Sequence, residues 1–151
     1  MTVETTAPAH PTYGEYLPVT VHFDDLDAFG FLHNTRHPLL VARAWDDCLA
    51  GYGIAYDGDW STGDVCYAVK ELQIGYEAPV TRHGRYLMHL WIERLGSTGL
   101  THGFRLCSAD GTTTHARGRR VLVRLDSASR TPTPWTDAFR TTAAPALTPA
   151  D

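Results

Sequence analysis

Between residues 24 and 34 the chain gathers three carboxylates (Asp24, Asp25 and Asp27), a glycine (Gly30) and the pair His33-Asn34, directly ahead of a segment with helical periodicity. The first amides of an α-helix lack an intrahelical acceptor and carry a partial positive charge. They can therefore polarise a carbonyl oxygen that turns negative during reaction. A carboxylate a few residues upstream can attack the carbonyl carbon, or take a proton from a water that does. Gly30 lets the backbone come close to a ligand. Such a grouping suits acyl transfer without a serine or cysteine nucleophile. The same residues also read as solvated loop aspartates followed by an Asn cap, and composition leaves both readings open.

The helix that would present those amides is expected over about 35–52, with Asn34 or Thr35 as its cap and Pro38 in the first turn, where a missing N–H costs nothing. Val41, Trp45, Cys48, Leu49 and Tyr52 recur at three- and four-residue spacing, and Leu40 and Ala44 widen the apolar face. Burial along most of its length, about 27 Å, follows. Gly51 and Gly53 end it. Ahead of it, 17–23 alternates Val19, Val21 and Phe23 with polar residues, as a strand does.

After a Gly/Asp-rich loop over 57–64 the period changes to 2, predicting strands over 65–77, 86–95, 100–109 and 113–125. Leu72, Ile74 and Tyr76 share one face of the first of these, Asp110-Gly111 marks a hairpin, and Gly118 suggests a bulge. Met88, Trp91 and Phe104 read as core. One strand, one long apolar helix and four hairpin-linked strands predict an α+β domain: a five-stranded antiparallel sheet wrapped around one long central helix. Residues 1–12 and 127–151, rich in Thr, Ala and Pro, read as tails around a core of 13–126.

A length of 151 residues suits one domain, and 13 Lys+Arg against 17 Asp+Glu gives a net charge of −4. That balance argues against nucleic acid and anionic membrane as partners. No apolar run reaches the ~18 residues that cross a bilayer. The first twenty residues lack a basic stretch followed by an apolar one, so the expected location is cytoplasmic. Cys48, Cys66 and Cys107 lie far apart and read as reduced thiols. The eight histidines, His22, His33 and His37 among them, fall in no zinc-binding spacing. Neither a metal nor a redox cofactor is expected.

In the segment 21–34 (Val21-His22-Phe23-Asp24-Asp25-Leu26-Asp27-Ala28-Phe29-Gly30-Phe31-Leu32-His33-Asn34) the chain resembles the hotdog-fold acyl-CoA thioesterases, in particular the 4-hydroxybenzoyl-CoA thioesterase branch. Leu72-Gln73-Ile74-Gly75-Tyr76-Glu77-Ala78-Pro79, Arg94-Leu95-Gly96-Ser97-Thr98-Gly99-Leu100-Thr101 and the stretch from Ala116 to Asp126 are similar to three further motifs of that branch, in the same order. The resemblance implies a hotdog fold and hydrolysis of an acyl thioester to a free acid and a thiol. It implies Asp27 as nucleophile or general base, and the backbone N–H at Asn34 as the group that polarises the carbonyl. It further implies a homodimer or homotetramer with its sites at the subunit interface.

The chain also departs from that pattern. His33 stands where Asn is common, as an orienter of water or merely a helix cap. Phe31 replaces a frequent His, making the entrance more apolar, and His37-Pro38 alters the first helical turn. Another hotdog branch carries its carboxylate on the helix; here the helical acids Asp46 and Asp47 read as a solvent-facing edge. Hydratase relatives need an Asp-x4-His pair, and five residues separate Asp27 from His33.

The expected substrate carrier is CoA or an acyl carrier protein. Gly30 and Phe31 are placed beside the acyl group, and Arg117, Arg119 and Arg120 at the carrier's phosphates. From the residues alone a second function stays open: a non-hydrolytic protein that holds an acyl or polyketide chain for a biosynthetic pathway. That module would tolerate Asn at position 27, whereas hydrolysis would not.

Overall fold

Alternating apolar and polar residues become five antiparallel strands: β1 (Glu15–Val21), β2 (Tyr67–Tyr76), β3 (Gly84–Leu95), β4 (Gly99–Ser108) and β5 (Thr114–Arg124). A computed structural model describes residues 11–55 and 64–150, so most of the 1–12 segment and of the 57–64 loop lies outside the described residues. The strand order is β1-β3-β4-β5-β2. The long helix α1 (His37–Gly51) follows a short 3-10 turn, Asn34–Arg36, and packs against β1 and β3. A curved antiparallel sheet holding one long helix is the hotdog fold that the sequence led us to expect.

Helical spacing decides what α1 buries. His37, Leu40, Val41, Ala44, Trp45, Cys48 and Leu49 are buried, whereas Arg43, Asp46 and Asp47 face outward. The helix shares one core with Met88, Leu90, Leu100, Phe104 and Leu122, all 2% exposed or less. Each such side chain contributes about 1.5–3 kcal/mol through removal from water. Burial, with Glu15 beside it, pushes the Cys48 thiol up to about 12, so this cysteine is inert. No described helix is long and apolar enough to cross a membrane. Among the described residues no three metal-binding side chains gather.

Three expectations need correcting. Gly118 is not bulged: it pairs in register with both Phe104 and Ile74, and the register shifts fall at Val69/Glu71, Ile92/Arg94 and Leu106/Cys107. Glycine is required there because a Cβ would stand 1.9 Å from the Gln73 carbonyl oxygen and 2.8 Å from Phe104 Cζ. Trp91 is not core either. It lies on the convex face over Gly103, where a Cβ would stand 2.2 Å from the indole Cε2.

The third correction concerns residues 127–150, which the sequence placed outside the core with their docking left open, and which are part of it. Trp135, Phe139, Ala143 and Leu147 recur every fourth residue and join the same core as α1. They belong to a stretch containing a π-helical turn, Phe139–Ala143, and the short helix α2 (Ala144–Leu147). The anchors are polar as well as apolar. Trp135 Nε1–H donates to the Gly99 carbonyl (3.2 Å), Arg140 donates to the Gly96 carbonyl (2.7 Å), and Thr136 donates through Oγ1 to the buried Asp64 (2.6 Å). Asp64 also pairs with Arg124 at 3.1 Å. The segment is thus strapped onto the β3–β4 turn.

Replacing Phe139 by Ala removes a fully buried ring and should cost about 3–5 kcal/mol. Urea unfolding followed by circular dichroism measures it. A loss below about 1 kcal/mol would mean that the segment does not close the core.

Candidate functional site

From the end of β1 the chain enters a 3-10 turn, Phe23–Asp25, whose Asp25 is 7% exposed. Asp25 is structural: its carboxylate accepts the His22 N–H at 2.9 Å and lies 3.8 Å from Arg36 Nε, while its carbonyl accepts the His33 N–H at 2.9 Å. Leu26 and Leu32 then form an antiparallel bridge that pinches off residues 27–31 as a tight turn. Within it the Asp27 N–H donates to the Phe31 carbonyl (2.7 Å) and the Gly30 N–H to the Asp27 carbonyl (3.0 Å). Gly30 has φ of 81°, a backbone region that strains any other residue. The Leu32 N–H donates to the Val80 carbonyl at 2.8 Å and ties the turn to the segment after β2.

The Asp27 side chain is half-buried and fixed by its own turn. Its Oδ1 accepts from the Phe29 N–H at 2.9 Å and the Phe31 N–H at 3.1 Å. Its second oxygen has no partner among the described residues. One oxygen therefore holds the geometry and the other is available for chemistry.

Seven residues on, Asn34 opens the 3-10 turn that leads into α1. As the first residue of that turn its N–H has no intrahelical acceptor, and no other backbone acceptor takes it among the described residues. The Asn34 carbonyl accepts from the Tyr76 hydroxyl at 3.3 Å, linking the helix start to the end of β2.

His33 is the cap. Its Nδ1 accepts from the Thr35 N–H at 3.1 Å, so of the three residues considered as caps, His33, Asn34 and Thr35, it is His33 that takes the role. This engages one ring nitrogen and leaves the exposed Nε2 without a partner among the described residues. Phe31 is 42% and Phe29 84% exposed. Tyr76 (53%), Leu72 (37%), Val69 (49%) and Leu39 (36%) are also exposed. Leu72 and Tyr76 do share a sheet face and stay exposed, although α1 reaches β2 at two points: Asp46 accepts from the Tyr67 hydroxyl at 2.8 Å, and the His37 ring meets that of Tyr76.

The three arginines singled out from the sequence do not form one patch. Arg117 and Arg119 point outward from the convex face, 59% and 54% exposed, paired with Glu77 (3.1 Å) and Glu93 (3.7 Å). Arg120 points the opposite way and is 3% exposed, its Nε donating to His102 Nε2 at 2.9 Å. It is a buried structural cation, not a phosphate ligand at the surface. The signal was available: Arg120 shares strand parity with the buried Ala116 and Leu122. His102 stacks on Trp45 with centroids 4.3 Å apart, and burial lowers its pKa to about 3, so it stays neutral and can accept from the guanidinium.

Sequence reading placed His37 in the first helical turn but missed Tyr76 as its neighbour there. Their rings meet edge-on at 4.9 Å. His37 is 6% exposed, and burial, aided by the nearby His115, lowers its pKa to about 4.

Comparison with known proteins places this geometry in context. Residues 21–142 match the family model described as the thioesterase-like superfamily. The chain is similar to the PA5185 protein of Pseudomonas aeruginosa, with 26% identity, a TM-score of 0.80 and coverage of 95% of this chain and 97% of that one. It shares its fold with a 1,4-dihydroxy-2-naphthoyl-CoA thioesterase from Synechocystis, at 18% identity and a TM-score of 0.73, covering 83% of this chain and 92% of that one. A DHNA-CoA thioesterase from Staphylococcus aureus also shares the fold, at 13% identity and a TM-score of 0.70, covering 79% of this chain and 78% of that one. No curated protein sequence matches.

The lowered pKa values have a measurable consequence. Histidines 37 and 102 are neutral in the fold down to about pH 4 and 3, whereas in the unfolded chain each takes a proton near 6.5. Below 6.5 the unfolded state binds more protons, so stability falls as pH drops from about 6.5 towards 4. The slope is up to about 1.4 kcal/mol per pH unit for each histidine. Urea midpoints taken between pH 7 and 4 should fall, and His37→Gln should flatten the decline; an unchanged slope in that variant would remove His37 as a cause.

Proposed function

Since this chain belongs to the thioesterase-like superfamily, we propose that it hydrolyses the thioester of an acyl-CoA or acyl-carrier-protein substrate, with Asp27 as the catalytic carboxylate. The family supports thioester hydrolysis in general. One observation carries the assignment to Asp27: in the turn leading to an unpaired helix-opening amide, this carboxylate spends one oxygen on the turn and keeps the other free.

In the reaction the substrate carbonyl oxygen accepts from the Asn34 N–H, whose fixed dipole stabilises the charge that develops there. Asp27 takes a proton from water as the water oxygen adds to the carbonyl carbon. The C–S bond then breaks and the departing sulfur takes up that proton, leaving acid and thiol. If Asp27 attacks directly, an acyl-aspartyl anhydride forms first and water opens it, with the same products. His33 keeps its capping bond and can orient the water through its other ring nitrogen.

Gly30 and Phe31 border the acyl group, and Phe31 makes that approach apolar. The Synechocystis and Staphylococcus proteins of this fold are thioesterases of CoA thioesters, which favours CoA as the carrier. A second copy of the chain covers the exposed Val69, Leu72 and Tyr76 and completes the site, because β2 is a sheet edge with an open row of backbone donors and acceptors.

Asp27→Asn keeps Oδ1 as an acceptor for Phe29 and Phe31, so the turn should survive. Thiol release from short, long and aromatic acyl-CoAs should drop by a factor of about 100 or more, with a melting temperature within about 2 °C of wild type. Equal rates in both proteins would end the assignment and favour a non-hydrolytic acyl-binding role. Leu72→Asp should yield a monomer by light scattering and lose thiol release with the sheet intact; a dimer of undiminished activity would place the interface elsewhere.

A further inference from the structure

The convex face of the sheet, opposite α1, carries a groove that the hydrolytic reading does not use. Strand register builds it. One row across the sheet runs Trp91, Gly103, Arg119 and Gln73, and the next runs His89, Arg105, Arg117 and Gly75. Gly103 and Gly75 put no side chain between the bulky ones. The Trp91 indole lies down over Gly103, in space that any larger residue at 103 would occupy.

The result is a cavity of about 460 Å³ walled by Trp91 and Tyr13 on one side and by Arg105, Arg117 and Arg119 on the other, with the Glu93 carboxylate, paired to Arg119, also in its lining. A second cavity of about 390 Å³ adjoins it and shares Tyr13, Arg105 and Arg117. Both are the size of pockets that hold small molecules. Trp91 and Tyr13 meet at 86° with centroids 5.5 Å apart, a corner in which a flat ring can stack on one and meet the edge of the other.

The charges point to an anion. Arg105 and Arg117 stand directly opposite each other on β4 and β5, a like-charge pairing that destabilises a bare sheet. Among the described residues Arg105 has only neutral partners, donating to Thr114 Oγ1 (2.9 Å), the Tyr16 hydroxyl (3.2 Å) and the Gly111 carbonyl (3.4 Å). The ion pairs of Arg117 and Arg119 are more than half exposed on the arginine side, so water screens them and a ligand can compete for the guanidinium groups. A chain of net charge −4 nevertheless assembles three of its arginines around one aromatic corner.

We propose that this groove is a second binding site, for a nucleoside phosphate: the base stacks in the Trp91–Tyr13 corner and the phosphate sits among Arg105, Arg117 and Arg119. The site lies across the sheet from Asp27 and Asn34, and it stands whether or not Asp27 is catalytic. Two sources supply this chemistry, a free nucleotide and the nucleotide end of a CoA.

Calorimetric titration of the full-length protein with adenosine 3′,5′-bisphosphate and with AMP tests the site. Saturable binding of at least one is expected, weakened tenfold or more in Arg105→Met and in Trp91→Leu and retained in Trp91→Phe, with circular dichroism confirming that each variant is folded. Displacement of the bound bisphosphate by free CoA identifies the nucleotide end of CoA as the occupant, and persistence against CoA identifies a free nucleotide. No saturable binding of either probe, or equal affinity in Arg105→Met and Trp91→Leu, overturns the proposal. So does a concentration-dependent association that Arg105→Met abolishes without any nucleotide effect, which would reassign the face to contact between copies of the chain.

Discussion

The bridge between Leu26 and Leu32 is the contact on which the candidate chemistry rests, because it forces the intervening chain into one turn. Main-chain bonds from Asp27 to Phe31 and from Gly30 to Asp27 leave that turn little freedom, and the Leu32 amide binds it to the Val80 carbonyl. The Asp25 carbonyl, one residue before the pinch, receives the His33 amide, one residue after it. The carboxylate of Asp27 and the amide of Asn34 are therefore fixed through the backbone rather than through long side chains. Groups positioned in this way need little reorganisation when charge moves, which is what gives a preorganised site its advantage over water.

A second constraint is strand parity. Inward positions of β5 carry Ala116, Gly118, Arg120 and Leu122, and one of the four is an arginine. A guanidinium removed from water is costly unless its donors find acceptors. Here neutral His102 accepts one N–H, and the Tyr67 ring lies 5.9 Å from the guanidinium carbon. Trp45 of α1 stacks on the far side of this arrangement through His102. We read this buried polar group as fixing how the helix sits on the sheet more than as adding stability, since apolar side chains of equal volume would pack there at lower cost.

The C-terminal segment shows why composition misled. Threonine, alanine and proline dominate 127–151, and that composition predicts a tail outside the core. Its apolar residues are few but fall at 135, 139, 143 and 147, a four-residue spacing that lines one helical face. Two of the segment's anchors, the Trp135 indole and the Arg140 guanidinium, bind carbonyls of the β3–β4 turn about forty residues earlier. No local pattern announces a partner that distant. Asp64 illustrates the same point, for nothing around it in the sequence points to Arg124 and Thr136.

Local periodicity was enough to determine five strands, one central helix and their antiparallel class, because a period of 2 or 3.6 is imposed by backbone geometry before any long-range contact forms. Residue spacing likewise placed Asp27 seven positions ahead of Asn34, with a glycine between them for the turn. Tertiary structure alone decided which oxygen of Asp27 is free, that His33 rather than Asn34 caps the helix start, and that Arg120 turns inward while its neighbours turn out. It also decided that glycines 75 and 103 open a groove, since that depends on register across four strands. Those outcomes are set by which backbone donor meets which acceptor across the fold, and no residue carries that information by itself.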